Sequence, residues 1–133
     1  MSHRRMRGTV VAALTLTTLS LVTLTSSPAS ATSRKGCPYP NVCFYLTKAD
    51  YTDNHPTAMF KDFTTGFQTL GAQSRGAKAV VNTRNDDRAS IKFLDGGNEY
   101  TTCLPPNQDW PVQSGITVTK LRIESQSACP TGP

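Results

Sequence analysis

Two cysteines with five residues between them, Cys37 and Cys43 in the run C-P-Y-P-N-V-C-F-Y, constrain this chain more than any other feature. The second runs straight into Phe44 and Tyr45, residue types that suit a half-buried pleated surface. A short disulfide loop leading into an aromatic strand staples a chain end to a β-sheet. Cys103 and Cys129 bring the count to four, and four cysteines in an exported chain read as two disulfides with three possible connectivities. Zinc is the rival reading. Thiolate pairs for zinc stand closer, at C-x2–4-C, and no such pair occurs here. The preferred pairing is Cys37–Cys43 with Cys103–Cys129. The second bond would return the C-terminal segment to the strand region near Phe93–Tyr100. It would close a loop of about 25 residues, worth roughly 3 kcal/mol in the chain-entropy account.

Export is expected from residues 1–31. Arg4, Arg5 and Arg7 form a basic stretch, Thr9 to Leu24 carries no charge, and Ala29-Ser30-Ala31 offers small residues where a signal peptidase reads. The uncharged stretch is shorter than the roughly 20 residues that span a bilayer, and threonines dilute it. Cleavage after Ala31 makes 1–31 a signal peptide and 32–133 a single secreted, extracellular domain that does not associate with membrane. Without the three signal arginines, eleven basic residues face nine acidic ones, a net charge of +2 rather than the +5 of the whole chain. The basic residues are scattered and not interleaved with aromatics, which argues against nucleic acid as a partner. A domain this small buries a modest share of its surface, so covalent staples matter.

The pattern along the mature chain is all-β. Val42 to Leu46 is an aromatic strand, and Met59 to Phe63 alternates as a half-buried strand does. Residues 64–78, rich in Gly, Thr, Ser and Gln, read as one long connection. Ala79 to Thr83 is apolar and β-branched, and Asn85-Asp86-Asp87 is a turn because these side chains bond their own backbone. Ser90 to Leu94 alternates, Gly96-Gly97-Asn98 turns back toward Tyr100, and Pro105-Pro106 forbids further pairing. Ile116 to Ile123 is the clearest strand, and no amphipathic helix of useful length is predicted. A weak repeat relates Leu46–Tyr51 to Leu94–Tyr100, with Asp50-Tyr51-Thr52 returning as Glu99-Tyr100-Thr101. Two four-strand units that cannot each bury both faces would pack as a sandwich.

On these residues the chain resembles the actinobacterial secreted metalloproteinase-inhibitor family, whose fold is βγ-crystallin-like. The shared features are the export signal, C-P-x4-C-F-Y at Cys37 to Tyr45, Tyr51, Ala79-Val80-Val81-Asn82, Phe93 to Tyr100, and Leu121-Arg122. The resemblance implies a βγ-crystallin-like Greek-key sandwich of two related halves, stapled by two disulfides. It also implies a monomeric inhibitor that inserts a rigid loop into the cleft of an extracellular protease, without a cofactor. In that family the reactive bond follows a cysteine, which matches Cys103–Leu104 with Pro105 beside it. Two departures stand out. The family's reactive cysteine closes a short local loop, whereas the remaining partner here is distant Cys129. Calcium sites of the βγ-crystallin type would place Ser74-Arg75 and Lys78-Ala79, then Gly115-Ile116 and Thr119-Lys120, at ligand positions. Those residues cannot supply the six to eight oxygens calcium takes, so no metal is expected.

Catalytic groups are sparse, and the chain reads as a non-enzyme. His55 lies in a turn-like Asn-His-Pro context, and Ser74 lacks the G-x-S-x-G spacing of a nucleophile elbow. Asp86 and Asp87 are adjacent turn residues, leaving Asp95 and Glu99 as distant carboxylates. Trp110, the single tryptophan, has two readings: core packing, or an exposed ring for partner or sugar contact. The segment Cys103-Leu104-Pro105 likewise reads as a reactive loop or as a rigid structural one. In the first case Leu104 would be the apolar residue that thermolysin-like enzymes favour after the cleaved bond. The leading expectation is a secreted inhibitor of metalloproteinases. The alternative is a non-inhibitory βγ-crystallin-like extracellular toxin or surface-binding module.

Overall fold

Alternating apolar residues in the two longest strands, β5 (Arg88–Asp95) and β8 (Thr117–Glu124), build the centre of one sheet. Ile91, Leu121 and Ile123 point to the core, while Lys92, Lys120 and Arg122 lie on the other face. The computed structural model describes residues 32–132, so the export segment 1–31 lies outside the described residues. The remaining elements are β1 (Val42–Tyr45), α1 (Lys48–Thr52), β2 (Ala58–Phe60), β3 (Gln68–Thr69), β4 (Ala79–Asn82), β6 (Asn98–Leu104) and β7 (Gln108–Pro111). All pairing is antiparallel. The first sheet runs β2-β1-β4-β7 and the second β3-β8-β5-β6. Each half of the chain therefore keeps three strands together and lends its third strand to the other half's sheet.

The two sheets share one core. Val42, Phe44 and Val80 of the first meet Ile91, Val118, Leu121 and Ile123 of the second. Gly96 and Gly97 carry φ of +56° and +86°, the left-handed angles a two-residue hairpin turn requires, and join β5 to β6 with Asp95 opposite Asn98. Opposite Lys92 and Phe93, which pair with Lys120 and Val118, the register skips Thr119 and marks a bulge in β8.

A second apolar cluster lies on the outer face of the first sheet. Cys37, Cys43, Tyr45, Ala79 and Val81 are buried there, with Tyr51 against them. The cover is the arm Arg34–Cys37 together with α1. The expected disulfides are present: Cys37–Cys43 fastens this arm to β1, and Cys103–Cys129 fastens the C-terminal segment to β6, each with Cα atoms 5.8 Å apart.

The structure departs from the sequence reading in four places. Lys48–Thr52 is a one-turn helix, closed by a capping box in which Thr47 Oγ1 accepts from Asp50 N at 3.0 Å and Asp50 accepts from Thr47 N at 2.8 Å. Tyr51 therefore sits on a helix while its repeat counterpart Tyr100 sits on a strand. The connection 64–78 contains the two-residue strand β3, and residues 108–111 form β7 as an edge strand. β2 ends at Phe60, short of the Phe63 expected, whereas β6 runs to Leu104, where the two prolines stop the pairing as expected.

Gly36 allows the arm to close. Its φ is +69°, and a Cβ placed there would lie 1.9 Å from the carbonyl oxygen of Asn54. Gly36→Ala should cost about 2–3 kcal/mol by urea unfolding of the oxidised protein, since strain and a backbone clash combine. A loss below about 0.5 kcal/mol, the range of ordinary surface substitutions, would mean that the arm does not need this close approach.

Candidate functional site

The end of β6 carries the residues in which the resemblance concentrates function, and the sheet register separates them. Ser90 opposes Cys103 and Ala89 opposes Leu104, so adjacent residues point to opposite faces. Cys103 faces outward to Cys129. Leu104 faces inward and is 5% exposed within the shared core. Its carbonyl and that of Pro105 accept from Asn82 Nδ2 at 3.2 and 3.1 Å. The reading of Leu104 as an exposed anchor on a free loop is therefore corrected: the residue is a core position at a strand end, and Pro105 is half-buried beside it. Trp110 carries two readings, core packing and an exposed contact ring. Its half-buried ring packs against the core with its centroid 5.6 Å from that of Phe93.

Around the Cys103–Cys129 bond the outer face of the second sheet is charged. Glu124 accepts from Ser90 Oγ at 2.7 Å, from Arg88 Nε at 2.9 Å and from Arg122 Nε at 2.7 Å. Burial alone would raise this carboxyl, but the three donors outweigh it and hold Glu124 below its usual range. Glu99 accepts from Lys92 at 2.6 Å and from Lys120 at 3.0 Å, and those hydrogen bonds likewise lower it. Phe67 arches over from the β2–β3 connection and lies between Lys92, 5.0 Å from the ring centroid, and Arg122, at 4.6 Å. Arg88 reaches on to the carbonyl of Ala128, tying the C-terminal segment down a second time. A cleft of about 380 Å³ opens between β6 and that segment, lined by Ser90, Thr101, Thr102, Cys103, Cys129 and Pro130.

β6 is an edge strand. Its inner side pairs with β5, and its other side meets no strand among the described residues. Residues 98–101 are exposed, with Tyr100 49% exposed and stacked on Phe93 at 5.7 Å.

Other residues singled out by sequence stand apart. His55 is exposed, and Ser74 is buried with its hydroxyl 3.4 Å from the Gly71 carbonyl. Asp87 pairs with Arg84 at 2.7 Å. Among the described residues no group of three His, Cys, Asp or Glu side chains stands together as metal ligands. Sequence reasoning did not foresee Phe67 or the Glu124 and Glu99 networks. Charged residues alternating with apolar ones on β5 and β8 were the available signal, but their pairing depends on strand order. No known protein family, curated protein or solved structure matches the chain significantly.

Leu104→Ala should lower stability by about 2–4 kcal/mol in chemical denaturation, as large-to-small changes in a packed core do. Glu124 generates a pH test. Its carboxyl titrates lower in the folded state, so its contribution is complete above the ordinary value near 4.5 and fades as pH falls through the lower folded value. Glu124→Gln should be less stable at pH 7 by about 1–2 kcal/mol, given the charged hydrogen bonds lost. The difference in melting temperature from the unsubstituted protein should narrow toward pH 3. A difference independent of pH would refute this role.

Proposed function

We propose that the protein is a secreted inhibitor of proteinases, with metalloproteinases as the target class, on a βγ-crystallin-like Greek-key fold. The exchange of third strands between the two halves supports that fold reading. One observation carries the functional reading: β6 offers an extended, unpaired edge anchored at its end by the Cys103–Cys129 bond. Protease clefts hold extended peptide by main-chain hydrogen bonds, and an edge strand supplies that conformation in advance. A segment already rigid loses little entropy on docking. Backbone of residues 98–102 makes the contact in this reading, with Tyr100 as its aromatic side chain, and Leu104 supports the strand from within. No cofactor takes part.

The burial of Leu104 favours the second reading, a non-inhibitory extracellular surface-binding module. Titration of thermolysin-type, serine and cysteine proteases with the oxidised protein separates the two. The inhibitor reading expects stoichiometric loss of thermolysin-type activity. It also expects Thr101→Asp, which puts a carboxylate on the open edge, to weaken inhibition about tenfold or more without a change in melting temperature. Inhibition unaffected by Thr101→Asp moves the contact away from β6. Absence of inhibition in all three classes leaves the surface-binding reading.

A further inference from the structure

At the opposite flank from the charged face, α1 leans over the beginning of β4 and the end of β7 and leaves a cleft of about 380 Å³. Its apolar floor is Tyr51, Ala79, Pro111 and Val112, and Lys48 and Lys78 stand among its lining residues. A cavity of this size falls in the range of small-molecule sites, which combine apolar walls with a few polar groups.

The floor is rigid. Tyr51 packs edge-on against Tyr45 at 5.4 Å, donates its hydroxyl to Asp109 at 2.8 Å, and carries Lys35 4.7 Å from its ring centroid. Arg34 holds the other oxygen of Asp109 at 2.7 Å. Asp109 thus meets Tyr51 through one oxygen and Arg34 through the other. Beyond the ends of the paired strands, Lys78 N donates to the Tyr45 carbonyl at 2.7 Å and Val112 N donates to the Lys78 carbonyl at 2.9 Å. The backbone that carries Lys78 is therefore fixed between β1 and the end of β7.

The charge around the cleft is one-sided. Neither Lys48 nor Lys78 has a carboxylate partner among the described residues, and no acidic residue lines the cleft. This contrasts with the second sheet, where Lys92 and Lys120 both rest on Glu99. We propose that this cleft binds a small organic anion with a flat apolar body, of the aromatic-carboxylate class. The ring lies on the Tyr51–Pro111 floor and the carboxylate meets the ammonium groups of Lys48 and Lys78. The site is independent of the β6 edge, so it stands or falls apart from protease inhibition.

The test is a titration of the oxidised, nitrogen-15-labelled protein followed by amide chemical shifts, with 2-naphthoate as probe and neutral 2-naphthamide as control. Naphthoate should bind with Kd of about 0.1–1 mM, the range a ligand of that size reaches. Shifts should concentrate at residues 48–52, 78–79 and 112–113. Naphthamide, and naphthoate with Lys48→Gln/Lys78→Gln, should each bind about tenfold more weakly, since two partly exposed ion pairs together supply roughly that factor. Equal binding of amide and carboxylate would overturn the anion assignment. Shifts centred elsewhere, or none up to about 10 mM, would overturn the site, because binding weaker than that has no selectivity to explain.

Discussion

A buried carboxamide at the crossing between the sheets, that of Asn82, is the interaction on which the two-sheet arrangement rests. Asn82 is fully buried at the end of β4 in the first sheet. Its Nδ2 lies 2.9 to 3.2 Å from the carbonyls of Asp87, Leu104 and Pro105, and its Oδ1 accepts from Arg84 N at 3.0 Å. Those carbonyls belong to the approach to β5 and the exit from β6, so a side chain of one sheet supports both ends of a hairpin in the other. Arg84 continues the network to the carbonyls of Pro40 at 2.7 Å and Lys61 at 2.9 Å. Left unmet at such depth, each of these groups would cost about 1–3 kcal/mol.

With the crossing held, the lent strands acquire meaning. β3 contributes two residues and β7 four, too few to persist alone, yet each completes a sheet built mainly by the other half. The exchange makes the halves mutually dependent, because removing either would strip an edge from both sheets. It also leaves the outer faces unequal. The arm, α1 and the Cys37–Cys43 bond cover one face, and burial raises the titration of Tyr45 and Tyr51 there. The other face stays charged and open, crossed by Phe67 and the tethered C-terminal segment.

The functional consequence turns on one step of register. Cys103 and Leu104 are neighbours in sequence, and a strand sends neighbours to opposite faces. The disulfide therefore marks the outer surface, while the leucine that follows it belongs to the core. At this end of the sheet the backbone edge of β6 is open, while the leucine side chain is buried.

Local sequence determined what depends on neighbouring residues. Alternation in Ser90–Leu94 and Ile116–Ile123 marked the two long strands, Val42–Leu46 and Ala79–Thr83 marked the buried pair, and Gly96-Gly97 marked the hairpin turn. The cysteine spacing led to the observed disulfides. The capping box Thr47-x-x-Asp50 was legible too, but one turn of helix carries no periodicity to draw attention to it. Tertiary structure alone decided the rest. Gln68–Thr69 and Gln108–Pro111 are polar or proline-bearing segments with weak strand preference, and they become strands because a neighbouring edge supplies their hydrogen bonds. Leu104, next to two prolines, carries the local signature of a loop, and its burial follows from pairing with Ala89 fifteen residues earlier. Strand order, the shared carboxylates and the cleft under α1 all arise from contacts distant in sequence, which local composition does not encode.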